Sequence, residues 1–176
     1  YQEILDEIVR QVTEHGGGDV LDIGFGTRFD DSSFEFCPVV PEELVAVVPA
    51  GHPLAQQEQV TLEQLSRERL VIYNQASPTR NLVLSMFRQQ DLQPDVAFEV
   101  ATDHMLASFV SQGLGVGIMP RMFGLRLYSV RPLYIADTET HRMLYMFRPK
   151  DRRVLPAVQR FWDFVLEVCA QYQSDE

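Results

Sequence analysis

The sequence predicts an α/β fold built on largely parallel sheets. Two observations carry this expectation. Short apolar runs alternate with amphipathic stretches of helical period from residue 2 to residue 119. Several of those runs are apolar at consecutive positions, as strands covered on both faces require.

The elements follow in order. Ile4, Leu5, Ile8, Val9 and Val12 recur at helical spacing, which predicts a helix over 2–14, closed by Gly16-Gly17-Gly18. Val20 to Phe25 reads as a buried strand. Strands are expected at 34–40 and 43–48, separated by Pro41, and Pro49, Gly51 and Pro53 then break the pattern. A short helix over 61–65 has Thr61 as its cap, and Leu70 to Tyr73 reads as a strand. Ser77 before Pro78 predicts a helix start, with Ser77 as cap and Pro78 in the first turn, where a missing N–H costs nothing. That helix runs to about Gln90 with Leu82, Val83, Met86 and Phe87 on its apolar face. Val96 to Val100 is a strand. Thr102 or Asp103 caps a helix through Gln112 that buries Leu106, Phe109 and Val110. Gly113 ends it, and a strand over 115–119 follows. Strands at 130–135 and 142–147 precede a last helix over 154–172, which is expected to bury Val158, Phe161, Trp162, Val165, Leu166 and Cys169.

Composition narrows the function. The chain has 176 residues, 45% hydrophobic and 23% charged, with a net charge of −10. Such a charge repels the phosphate backbone, so these residues are a poor nucleic-acid surface. No apolar run approaches the roughly 18 residues of a membrane span, and no signal peptide opens the sequence. Cys37 and Cys169 form neither a disulfide framework nor a zinc pattern, and structural burial is expected for both. The four histidines lack ligand spacing, so no metal site is expected. The glycines of 113–117 follow a helix and precede a strand, the reverse of a dinucleotide fingerprint. No Gly-x-Ser-x-Gly elbow or other catalytic set is present, so neither an enzyme nor a cofactor is expected.

Three motif groups resemble one family. These are Asp22-Ile23-Gly24-Phe25-Gly26, the run from Glu43 through Val48-Pro49 into Gly51-His52-Pro53-Leu54-Ala55, and Val110-Ser111-Gln112-Gly113-Leu114-Gly115-Val116-Gly117-Ile118-Met119-Pro120. Together with Thr61 to Leu65 and Ser77-Pro78 between them, they resemble the effector-binding domain of LysR-type transcriptional regulators along essentially the whole chain. The resemblance implies a two-lobed type II periplasmic-binding-protein-like fold. The first lobe would hold 1–42 and 141–176, the second 43–140, with a small organic acid in the cleft between them. It also implies a cytoplasmic homodimer or tetramer with no membrane partner, in which the helices at 2–14 and 79–90 pair between subunits. DNA would be bound only through an N-terminal helix-turn-helix upstream of this sequence. In the family a strand, a helix and a further strand precede the helix at residue 2, so the first lobe is expected to be incomplete here. An extracytoplasmic solute-binding protein of the same fold is the alternative.

Ligands of open parallel sheets bind beyond the carboxyl ends of strands, near helix N-termini. Three places qualify. Phe25-Gly26-Thr27-Arg28 follows a strand, its glycine admits close approach, and Thr27 or Arg28 supplies a donor; the same residues also fit an ordinary turn. Ser77-Pro78-Thr79-Arg80-Asn81 opens a helix whose dipole favours an anion, with two hydroxyls and Arg80 as a carboxylate partner. This is the preferred site. Thr102 and His104 sit at a third helix start, with Met119 and Met122 as an apolar wall or as core.

Overall fold

A computed structural model of the chain describes residues 22–28, 30–151 and 153–174. The helix expected at 2–14 and the glycines that follow lie outside the described residues. Contacts divide the chain into two units. One is built on Glu43–His141, the other on the described residues up to Glu42 and from Arg142 onward.

The strands are β1 (Gly24–Gly26), β2 (Phe34–Pro49), β3 (Gln59–Val60), β4 (Arg69–Tyr73), β5 (Asp95–Val100), β6 (Val116–Pro120), β7 (Val130–Ile135) and β8 (His141–Pro149). The helices are α1 (Leu62–Ser66), α2 (Pro78–Gln89), α3 (Asp103–Ser111) and α4 (Pro156–Ser174), with 3-10 turns at Pro53–Gln56 and Phe123–Leu127. The sequence reading did not anticipate β3 or the two 3-10 turns.

In the 43–141 unit the strand order is β3-β7-β2-β6-β4-β5. β6, β4 and β5 run parallel, and β2 is antiparallel to β6 and β7. The alternation of side chains explains the continuous apolar runs. Leu44, Ala46, Val48, Leu70, Ile72, Val116 and Ile118 face one way, onto Leu62 and Leu65 of α1 and Val83, Met86 and Phe87 of α2. Val45, Val47, Val71, Tyr73 and Met119 face the other way, onto Leu106, Ala107 and Val110 of α3. Helices cover both faces, so the central strands are apolar at consecutive positions.

Local signals set the element ends. Thr61 and Gln64 form a reciprocal capping box at α1. Asp137 adds a second acceptor there, taking the Leu62 N–H at 3.0 Å. His52 Nδ1 accepts from Leu54 N, 3.3 Å away, at the first 3-10 turn. Gly113 leaves α3 at φ 74°, the left-handed conformation that a helix stop requires. The glycines beyond it are packing residues. A Cβ on Gly115 would stand 2.4 Å from the carbonyl oxygen of Arg69, and one on Gly117 2.6 Å from Leu106 Cδ2. They let β6 approach its neighbours closely.

In the other unit the order is β1-β8-β2, with β1 antiparallel to β8. Phe34 and Phe36 of β2 meet Phe147 and Tyr145 of β8, with ring centroids 5.7–6.2 Å apart. The alternate positions carry Glu35 and Arg148, whose Nε donates to the Glu35 carboxylate at 2.8 Å. Arg148 also bonds Gln159 of α4 at 3.0 Å and lies 4.2 Å from the Trp162 ring. Trp162 is buried, whereas Phe161, expected inside, is 46% exposed and meets Phe25 edge-on. Val158, Val165, Leu166 and Cys169 are only half-buried. The covered face of α4 is therefore narrower than its helical period suggests.

One further expectation fails. The strands expected at 34–40 and 43–48 are a single strand of 16 residues that passes through Pro38 and Pro41. Proline's fixed φ suits extended backbone, and its missing N–H matters only where a neighbour must accept from it. Around these prolines β2 exchanges β8 for β6 and β7 as its partners, so the ladder tolerates them.

Candidate functional site

The preferred site is built where β4 and β5 end and α2 and α3 begin. The chain leaves β4 at Tyr73 and turns sharply. Asn74 N bonds the Val100 carbonyl at 2.8 Å, Ser77 N bonds the Asn74 carbonyl at 3.2 Å, and the Asn74 side chain accepts from Ala76 N. This asparagine turn delivers Ser77 and Pro78 to the start of α2. Ser77 and Thr79 are each 7% exposed, two of the few buried polar residues described. Ser77 occupies the cap position, but its hydroxyl makes no cap hydrogen bond, contrary to the expected capping role. All fully buried side-chain polar atoms among the described residues have partners. The helix start supplies the positive end of a dipole 12 residues long.

Arg80 is engaged internally. Its Nη1 donates to the Tyr73 carbonyl at 2.6 Å and its Nη2 lies 2.7 Å from Glu99 Oε1. The Arg80 side chain is 14% exposed. The expected carboxylate partner is thus a clamp that fixes the end of β4 against α2 and β5. Sequence spacing gives no signal for this pair, because the parallel pairing of β4 and β5 creates it. Asn81 is exposed on the first turn of α2.

At the neighbouring helix start, Thr102 is the cap, and its hydroxyl accepts from Met105 N at 3.2 Å. Asp103 is directed elsewhere, taking a hydrogen bond from the buried Tyr73 hydroxyl at 2.5 Å. His104 is exposed, with Nδ1 3.0 Å from the Tyr128 hydroxyl. Met119 has no exposed surface and packs in the core, the second of the two roles open to it from the sequence. Met122 is half-buried against the same cluster. Among the described residues the structure brings Ser77, Thr79, Arg80 and Asn81 together on one helix start. Thr102 lies on the next, and Tyr73 and Asp103 link the two.

Phe25 to Arg28 lie in the other unit. Gly26 is buried at the end of β1, Thr27 is half-buried, and Arg28 is exposed with its guanidinium 5.7 Å from the Phe36 ring. Phe25, 41% exposed, packs on Phe161. Among the described residues no cluster of His, Cys, Asp or Glu suits a metal ion.

Hydroxyl and helix-start donors thus gather at the carboxyl ends of the parallel strands β4 and β5. Comparison with known proteins gives the family. The family model described as the LysR substrate binding domain matches residues 8–170, and the chain belongs to that family. It is 33% identical over 140 residues to the HTH-type transcriptional regulator CysB of Burkholderia cenocepacia, covering 74% of this chain and 45% of that protein. It is 32% identical over 132 residues to the uncharacterized HTH-type regulator YnfL of Escherichia coli, covering 73% and 44%. The chain thus spans less than half the length of these relatives. Among solved structures, the effector binding domain of QuiR in complex with shikimate aligns at TM-score 0.85 and 26% identity, over 97% of this chain and 78% of that one. The regulatory domain of Synechocystis CcmR in complex with 2-PG aligns at TM-score 0.79 and 18% identity, over 96% and 79%, and supports the fold. These likenesses give the chain the type II periplasmic-binding-protein-like fold.

Proposed function

We propose that the chain is the sensing region of a cytoplasmic LysR-type regulator that binds a small organic acid and thereby alters transcription by the intact protein. It is a reversible binder rather than an enzyme. The observation that carries this reading is Ser77: a buried residue at a helix start whose hydroxyl makes no cap hydrogen bond. An acid bound there would accept from Ser77 and from the first turn of α2, with Thr79 and Asn81 beside it. Thr102 on the next helix start is a further donor to the same ligand. Arg80 serves by positioning the strand end. The likeness to a shikimate-bound domain supports a hydroxylated carboxylate as the first ligand class to test. Dimers or tetramers, and DNA contact through residues beyond this sequence, follow from the family reading.

Binding to the native state alone raises stability by about 2.7 kcal/mol at a hundred dissociation constants of free ligand. The test is thermal unfolding of the intact protein against a panel of small carboxylic acids, shikimate included. A rise in Tm that Ser77→Ala and Thr79→Ala each blunt is expected. A folded protein whose Tm no acid moves would overturn the reading.

A further inference from the structure

Both cysteines were expected in the core, yet both thiols are free and only half-buried. Their placement is more specific than their exposure. Glu35 and Cys37 alternate with Phe34 and Phe36 along β2, so they share the face opposite the aromatic cluster. That is the face α4 covers, since Glu35 holds Arg148 and Arg148 in turn meets Gln159 and Trp162. Cys169 follows Trp162 by seven residues, two helical turns, and therefore returns to the sheet-facing side of α4. Strand and helix thus present one thiol each into the same layer. The Cys37 thiol is pushed above its ordinary value by burial first, then by the proximity of Cys169 and of Glu35.

We propose that Cys37 and Cys169 are a reversible oxidation site that closes to a disulfide, fastening β2 to α4. With a peroxide as oxidant the step balances. The thiolate sulfur of one cysteine attacks the peroxide O–O bond, forming a sulfenic acid and releasing water after proton transfer. The second thiol then displaces water from that sulfur as the S–S bond forms. Two thiols lose two electrons and two protons, and hydrogen peroxide is reduced to two waters. Cys37, whose anion is disfavoured, is the partner that attacks second.

The full-length protein, treated natively with hydrogen peroxide and then capped with N-ethylmaleimide, tests this by non-reducing peptide mapping. A peptide pair joining Cys37 to Cys169 is expected. It should vanish with dithiothreitol and in Cys37→Ser and Cys169→Ser, and the oxidised protein should melt higher than the reduced one. Two results would overturn the proposal: both cysteines recovered as maleimide adducts or sulfinic acids without a linked pair, or a disulfide joining two copies of the chain. Cys37→Ala repeats the test where the serine variant folds poorly. If oxidation moves its Tm as it moves that of the parent, the link is likewise excluded.

Discussion

The Tyr73 hydroxyl donates to Asp103 Oδ1 across 2.5 Å, tying the end of β4 to the first turn of α3. Thr102 already caps that helix, which frees the carboxylate for this tertiary bond. Tyr73 is 2% exposed, so its hydroxyl has little access to water as a substitute. Tyr73→Phe should therefore cost about 1.5 kcal/mol, the lower end for hydrogen bonds to charged groups. Urea denaturation should show a lower midpoint at unchanged slope. An unshifted midpoint would mean that water replaces the bond.

Arg80 and Ser77 should separate cleanly in experiment, although they are three residues apart. Arg80→Met removes the clamp on the Tyr73 carbonyl and on Glu99. Since the Glu99 side chain is 41% exposed and can be solvated, the expected loss is modest, about 1–2 kcal/mol. It should appear without any ligand. Ser77→Ala should leave the ligand-free melting temperature nearly unchanged and reduce only the acid-dependent rise. If Arg80→Met leaves ligand-free stability intact and abolishes the rise, Arg80 is itself a ligand contact.

Gly117→Ala places a methyl group 2.6 Å from Leu106 Cδ2, a side-chain atom that can move. Overpacking of this kind costs about 1–3 kcal/mol. Gly115→Ala meets the Arg69 carbonyl, which is backbone and cannot give way, so it should be the more damaging of the two. Chemical denaturation of both variants checks the order; equal effects would refute the distinction between side-chain and backbone neighbours.

Asp31 accepts from the Ser33 hydroxyl at 2.6 Å and from its amide at 2.8 Å. These two bonds hold its carboxyl below the ordinary value of 3.8. A depressed carboxylate contributes stability that is present above the unfolded value and is lost as pH falls through the folded one. The unfolding midpoint of Asp31→Asn should therefore depend less on pH below about 4 than that of the parent. Superimposable acid profiles would show that this turn does not contribute.

Much of the fold was readable because its signals are local or periodic. The Thr61 cap, the Ser77-Pro78 start, the Gly113 stop and the consecutive apolar residues of β2, β4 and β6 each act over a few positions. The same reading lost β2 as one strand, because Pro38 and Pro41 break a ladder only if a neighbour needs their N–H, and the neighbours are set by tertiary pairing. The site was legible as a location rather than as a set of roles. Donor-bearing residues at a helix start show in the sequence. Which donors remain available depends on Glu99 reaching Arg80 and on Tyr73 reaching Asp103, residues 19 and 30 positions apart. Met119 was open to wall or core until the alternation along β6 placed it in the core. The half-buried thiols had no sequence signal, since the apolar face of α4 looked wide enough to cover Cys169.

The two units differ in when a growing chain can complete them. The 43–141 unit draws its sheet from one uninterrupted stretch, so it can close while the remainder is still being translated. The other unit pairs the start of β2 with β8, and the link from Glu42 to Arg142, 2.7 Å long, joins residues 100 positions apart. Phe34 and Phe36 must therefore wait for Tyr145 and Phe147, more than 100 positions later in the chain. Late, non-local pairing of this kind is slow and invites self-association. The yield of folded protein should accordingly hinge on that interval, which a ribosomal pause or a chaperone bound to the early aromatic residues would govern.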